Sequence, residues 1–337
     1  MKKSYLWRKM TSGLMAAAVT VTAMPGLGLT MVQAEEKKTL KVAMECSYAP
    51  YNWTQPDDSN GAVPINDSNE YAYGYDVMMA KHICEELGWD LEIVKMDWDS
   101  LPTSVSSGAI DCAIAGQSIT AKRLESVDFT DPYYYASIVT LVKKDGPYKD
   151  AKGLADLKGA TATSQINTVW YDTCLDQIED VNKLPAYETT GTMLVSLESG
   201  ACDLICTDQP TAMAACVAYP DMEMLDFSSS DDNYQVSDEE INIGISVKKG
   251  NQELVDEINS VLEKMTKEDY VTWLMSHSLL TFEEAEAIFY FQMNGCLSIN
   301  KVMLRNHCSD WKKIQRAIDQ FIRAGLESFL IRDQREY

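Results

Sequence analysis

From residue 39 onward, apolar positions alternate between short continuous runs and runs at helical spacing. Leu40 to Met44 (LKVAM) reads as a buried strand, and a long polar loop rich in Asp, Asn, Ser, Pro and Gly follows it, from Asn52 to Tyr73. Val77, Ala80, Ile83, Cys84 and Leu87 then recur with a helical period that Gly88 closes. Leu91 to Val94 reads as a strand, Asp99 opens a helix, and Ile110 to Ala115 returns to strand. This is βαβ order, which predicts a parallel sheet.

The alternation resumes with a strand through Ala160 to Ser164, a helix from Thr168 to Ile178, a helix around Met193 to Glu198 and a strand at Asp203 to Cys206. Ser137 to Val142 (SIVTLV) ends in a basic turn, and Ile243 to Val247 (IGISV) ends in another, about one domain's length later. Two such phrases predict a chain that crosses between two lobes twice. The final periodic segment, Leu254, Ile258, Val261, Leu262 and Met265 followed by Tyr270 to Met275, is expected to pack back on the first lobe. The expected class is therefore α/β with two lobes, two hinge crossovers and a ligand cleft between them. Its divisions are 35–140 with 245–280 for lobe 1 and 141–244 for lobe 2. Ordinary strands of one larger α/β domain would give the same pattern, but ligands bind beyond the carboxyl ends of such strands, and two facing sheets make a cleft that closes.

Charge narrows the partners. The chain has 337 residues and a formal net charge of −22, which repels phosphate backbones, so no nucleic-acid partner is expected. Residues 1–34 carry four basic groups and no acid, 35–280 carry a net −26, and 281–337 carry eight charges of each sign. The first stretch combines a basic start, an apolar run from Leu14 to Met24 and Val32-Gln33-Ala34, the order of a signal peptide cleaved after Ala34. Its apolar run is shorter than the roughly 20 residues of a spanning helix. Export to the periplasm or extracytoplasmic envelope is expected. With the nearest cysteine at Cys46, no lipid anchor is predicted.

Nine cysteines are an odd count for a disulfide framework, and most are read as small buried hydrophobes. Three scattered histidines give little material for a metal site or a Ser/His/Asp triad, and no cofactor is expected.

A free amino acid needs a planar cation for its carboxylate, an anion for its ammonium and a shaped pocket for its side chain. Arg123 follows the carboxyl end of the Ile110 to Ala115 strand and offers a guanidinium able to hold both carboxylate oxygens. Taken alone, such an arginine is more often a surface ion-pair residue. Asp208 follows the Asp203 to Cys206 strand and reads equally as an ammonium partner or a helix cap. Asn167 and Thr168 precede a predicted helix, as an anion cradle or an ordinary cap. Tyr48, Tyr51, Trp53, Trp98 and Tyr133 to Tyr135 lie at element ends, with Glu45 one residue past the first strand. Aromatics in such places wall a pocket or stack on cations.

Four segments together resemble the family 3 extracellular solute-binding proteins, the amino-acid receptors of ABC importers, which include histidine-binding and lysine/arginine/ornithine-binding proteins. They are LKVAMECSYAPYNW (40–53), GYDVMMAKHICEELG (74–88), IDCAIAGQSITAKRLESVDFTDPYY (110–134) and DLICTDQP (203–210). The resemblance covers about 38–280 and implies the type II periplasmic-binding-protein fold. It implies that Arg123 grips the ligand carboxylate with Ser118 beside it, and that Asp208 binds the α-ammonium. It further implies that Tyr48 and Tyr51 line the pocket, that Glu45 faces the side chain of a cationic ligand, and that Trp98 forms a wall. Asn167-Thr168 stands where many members have a glycine-serine or glycine-threonine turn, and Gly116 and Gln117 replace serines of the histidine-binding type. The implied partners are a free amino acid, cationic or polar, and a membrane permease that this chain lacks; a monomer is expected.

The same scaffold hosts a dehydratase acting on cyclic acids. That chemistry needs an acid or base of shifted pKa, and Glu45 is the one candidate in this chain. Residues 281–337 have no counterpart in the resemblance. Trp311, Ile314, Ile318, Phe321, Ile322 and Phe329 recur there on a helical period with basic residues between. They read equally as a docking or membrane-surface helix and as a poorly packed extension left by a genetic accident such as a shifted frame, and the role of 281–337 is left open.

Overall fold

The computed structural model describes residues 37–289 and the isolated positions 317, 320, 321 and 325. The predicted signal segment and most of the Trp311 to Phe329 period lie outside the described residues.

Two five-stranded sheets carry the fold. In the first, the order is Asp90–Lys95, Thr39–Met44, Cys112–Ala113, Ser246–Lys248 and Val127–Phe129. In the second it is Asn182–Lys183, Thr161–Thr163, Leu204–Asp208, Ile138–Lys143 and Met222–Leu225. Each sheet is covered on both faces. Val42 and Cys112 join one core with Ile83 and Ile258, whereas their neighbours Ala43 and Ala113 join another with Leu101 and Val105. In the second sheet, Leu204 and Cys206 point to one core and Ile205 to the other. Burial on both faces is why these strands read as unbroken apolar runs rather than alternating ones.

Both sheets are mixed rather than parallel. Thr39–Met44 runs parallel to both its neighbours, but Ser246–Lys248 is antiparallel to both of its own. In the second sheet Ile138–Lys143 is likewise antiparallel to its two neighbours. These are the strands that follow the crossings, and each enters its sheet from the side facing the other sheet, against the βαβ direction. Ile138–Lys143, which a boundary at 140 would divide, lies whole in the second sheet. The crossings meet in a two-stranded antiparallel ribbon, Tyr134–Tyr135 with Asn242–Ile243.

The region read as a polar loop from Asn52 to Tyr73 is instead a small four-stranded antiparallel sheet: Ser47–Tyr48, Asn52–Gln55, Tyr71–Tyr73 and Val63–Pro64. Its strands are two to four residues long, too short for a period to show in a polar background. Trp53 packs edge-on against Tyr73 there. The helix predicted from Thr168 to Ile178 is a π-helical turn, Trp170–Cys174, followed by a 3₁₀ turn, Leu175–Gln177.

The long helix Gln252–His277 packs Leu254, Ile258 and Val261 onto the first sheet's core. Further along, its Val271 and Leu274 form a separate cluster with Ala285 and Phe289. All seven described cysteines are free, six of them buried. Among the described residues no helix is long and apolar enough to cross a membrane.

Candidate functional site

The phrase Gly74-Tyr75-Asp76 opens the helix Tyr75–Leu87. Gly74 has φ 132°, and a Cβ there would lie 2.2 Å from the Tyr51 carbonyl oxygen, so the close approach demands glycine. The amide of Asp76 then donates to that same oxygen at 2.8 Å. The helix start is thereby fixed against the segment that carries Tyr48 and Tyr51.

Asp208 ends the strand Leu204–Asp208 and caps the helix Gln209–Ala218, accepting from the Thr211 amide at 2.9 Å and the Thr211 hydroxyl at 3.0 Å. The capping reading is thus correct. The same carboxylate also reaches the first half of the molecule. Tyr48 Oη donates to Oδ2 at 2.5 Å and Tyr51 Oη to Oδ1 at 3.1 Å. Burial pushes the Asp208 carboxyl above its ordinary range, while these hydrogen bonds pull the other way. The two tyrosine rings stack with centroids 4.8 Å apart. Gly116, at φ +64°, lies against the Tyr48 ring.

Arg123 spans the same seam. One guanidinium nitrogen donates to the Ser118 carbonyl at 2.8 Å and the other to the Asn167 carbonyl of the second half at 2.9 Å. Its guanidinium carbon lies 5.4 Å from the centre of the Trp98 ring, within cation–π reach. Burial holds its pKa down at about 10, so it remains a cation at neutral pH. Two of its five N–H donors are used in these contacts, which leaves three to meet an anion. Ser118 is tied to the return crossing through a bridge with Ile243, and the next residue's amide donates to the Asn242 carbonyl at 2.8 Å.

Glu45 is 4% exposed, and Gln165 Nε2 of the second half donates to its Oε1 at 3.1 Å. Its Oε2 is buried with no hydrogen-bond partner. Burial, with the nearby Glu188 and Asp76 charges, pushes its pKa up to about 8 against the pull of the Gln165 bond. Trp98 Nε1 donates to the Ile166 carbonyl at 2.8 Å. Asn167, at φ 57°, donates from Nδ2 to Asp99 at 2.8 Å. Thr168 uses its hydroxyl as an ordinary cap, donating to the Gln165 carbonyl at 2.7 Å and accepting from the Tyr171 amide.

Two cavities share Trp98 as a wall. One, of about 390 Å³, is bordered by Arg123, Thr120, Asn167, Thr168 and Asp172. The other, of about 440 Å³, is bordered by Glu45, Lys95, Asp97 and Glu188.

Of the ten candidate residues, Glu45, Trp98, Arg123, Asn167 and Thr168 border one or both of these cavities, whereas Tyr48, Tyr51, Gly116 and Asp208 form a separate buried group and Ser118 meets Arg123 through its carbonyl. Sequence reasoning missed Gln165 and Glu188. Gln165 follows the strand Thr161–Thr163, so the strand-end argument used for Arg123 and Asp208 would have found it. Glu188 carries no comparable signal. Among the described residues no cluster of His, Cys, Asp and Glu is suited to a metal ion.

Two α/β halves joined by two crossings, with Arg123 of one and Asp208 of the other bonded across the seam, have the architecture of a solute-binding receptor. The chain belongs to the bacterial extracellular solute-binding proteins, family 3, whose model matches residues 40–276. The L-cystine-binding protein TcyJ of Escherichia coli K12 is 26% identical over 277 residues, covering 80% of this chain and 94% of that protein. An arginine-bound ancestral arginine-binding protein superposes with a TM-score of 0.56 at 30% identity, covering 68% of this chain and 93% of its own. An amino acid ABC transporter substrate-binding protein from Streptococcus pneumoniae, bound to L-arginine, gives 0.59 at 26% identity, covering 74% and 94%. The protein is a substrate-binding component of an amino-acid ABC transporter, and the dehydratase reading is set aside because these homologues are non-enzymatic receptors.

Proposed function

We propose that the seam between the sheets captures a free cationic amino acid, with arginine the leading candidate, by closure about the Tyr134–Tyr135 and Asn242–Ile243 ribbon. In this reading the first sheet and the helix Gln252–His277 move as one lobe and the second sheet as the other. Arg123 takes the ligand carboxylate, with Ser118, Asn167 and Thr168 beside it. Asp208 takes the α-ammonium, which competes with the Tyr48 and Tyr51 hydroxyls for its oxygens. Glu45 faces the distal charge, and Trp98 walls the side chain. Arginine binding by the two superposed proteins supports this choice.

One observation carries the reading. Arg123 and Asp208 each bond across the seam from opposite halves, and Glu45, which also bonds across it to Gln165, keeps one buried oxygen without a partner. Charge-assisted hydrogen bonds contribute about 1.5–3 kcal/mol each, so three or four supply micromolar capture, about −8 kcal/mol, after ordering costs. The loaded form is then handed, as a monomer outside the cytoplasm, to a membrane permease.

A thermal-shift series of the twenty amino acids on the mature chain tests this, since a ligand that binds only the folded state raises its stability with concentration. Arginine or lysine giving the largest rise supports the reading. A rise from cystine or glutamine alone moves Glu45 out of side-chain recognition, and no rise from any of them ends the proposal.

A further inference from the structure

Asp76 is a carboxylate with no solvent exposure in the first turn of Tyr75–Leu87, outside both cavities. Taking such a charge out of water is costly unless its hydrogen bonds are satisfied, and its two oxygens serve two separate arms. Oδ2 accepts from Asn52 Nδ2 at 2.7 Å, and Asn52, itself fully buried, uses its Oδ1 to accept the Cys46 amide at 2.8 Å. Cys46 has φ 54°, a conformation that side-chain-bearing residues adopt only when held. It directly follows Glu45. Along the other arm, Oδ1 accepts from Tyr133 Oη at 2.7 Å, and that hydroxyl oxygen accepts the Gly116 amide at 3.2 Å. Gly116 also has a positive φ, 64°, and its α-carbon faces the Tyr48 ring so closely that a Cβ would stand 2.9 Å from Cε1.

We propose that Asp76 is a positioning residue for ligand capture: through Asn52 and Tyr133 it sets the backbone at Cys46 and Gly116, and thereby aims Glu45 and Tyr48. The inference deepens the amino-acid reading and rests on it. Only a carboxylate meets the demand, because both neighbours present a donor to it. Asn52 must turn its amide nitrogen toward position 76 once its oxygen has taken the Cys46 amide. Tyr133 must turn its hydroxyl proton there once its lone pair has taken the Gly116 amide. A side-chain amide at 76 accepts from one of them and faces the other with a second donor, so one arm breaks whichever way it flips.

The test combines calorimetric titration with L-arginine and ¹⁵N amide spectra of the mature chain for wild type, Asp76→Asn, Tyr133→Phe and the core control Ile83→Val. Asp76→Asn is expected to shift the Cys46 and Gly116 amide resonances and weaken arginine binding about tenfold or more. Tyr133→Phe, which keeps the Asn52 arm, is expected to shift Gly116 while sparing Cys46, with a smaller loss of affinity. Ile83→Val is expected to lower the melting temperature with affinity within about twofold of wild type. Unmoved resonances in Asp76→Asn, or moved resonances with affinity within about twofold, overturn the proposal. Should Asp76→Asn not fold, Tyr133→Phe decides alone, since an unshifted Gly116 or undiminished affinity sinks the relay. Wild type binding no amino acid overturns the ligand reading and the capture role with it, whereas a binding wild type with an unaffected variant overturns the relay alone.

Discussion

Tyr48 and Asp208 stand 160 positions apart in sequence, on opposite halves of the molecule, with the tyrosine hydroxyl 2.5 Å from the carboxylate. A carboxylate that caps its own helix and is gripped from the facing half couples the closure of the seam to the occupancy of its oxygens. In the proposed reading an amino acid's ammonium competes with the tyrosine hydroxyls for those same oxygens, so occupancy exchanges one bond of Asp208 for another.

Replacing Asp208 by Asn keeps a good helix cap, because Asn and Asp serve almost equally at that position. The cap bond from the Thr211 amide survives, but two of the hydroxyls that donate to the Asp208 oxygens must turn, so the melting temperature of Asp208→Asn is expected to fall modestly. Arginine affinity measured by calorimetry is expected to fall by about 2 kcal/mol, some thirtyfold, since the ammonium loses its charged partner. Wild-type affinity in this variant would place the ammonium elsewhere.

Removing the guanidinium removes the cation that bonds across the seam to Asn167. Arg123→Ala is expected to lower affinity by about 3 kcal/mol, on the order of a hundredfold. Arg123→Lys recovers part of this loss, because an ammonium offers charge without the planar two-point geometry. An unchanged titration of the alanine variant takes Arg123 out of the site.

The carboxyl of Glu45 has a folded-state pKa near 8 against an ordinary 4.5, chiefly through burial. Between those values the folded chain holds the proton and the unfolded chain does not, so proton binding favours folding and stability declines as pH climbs through that window. Glu45→Gln is expected to melt with a shallower pH dependence than wild type from about pH 5 to 8 and to be the more stable of the two at its upper end. A cationic ligand lowers the pKa again, so arginine binding near pH 7 should release up to one proton. Heats measured in buffers of different ionisation enthalpy check this; an identical heat in every buffer contradicts it.

At position 116 a single methyl group tests the Tyr48 contact. Gly116→Ala adds a Cβ that would sit 2.9 Å from the Tyr48 ring at a backbone φ of +64°, which costs about 1 kcal/mol or more from strain alone. Lower melting temperature and weaker arginine binding are both expected. Retention of both would show that the ring moves aside freely.

The sequence by itself determined the alternation of strand and helix, the apolar runs of strands covered on both faces, and the placement of Asp208 at a strand end, whereas Arg123, expected just past a strand, lies on the short helix Ala121–Leu124. Local pattern suffices for these, because burial on one or both faces writes its period into neighbouring residues. It also located the glycine-tyrosine-aspartate phrase, though not its purpose. Tertiary structure alone decided that the strands following the crossings run against their neighbours, and that a polar stretch from Asn52 to Tyr73 folds into a small sheet. It alone brought Gln165 to Glu45 across 120 residues and made Asp76 the support of two distant backbone turns. Hydrogen bonds between residues far apart leave no period along a single chain, and the register that makes them is fixed only when both halves have packed.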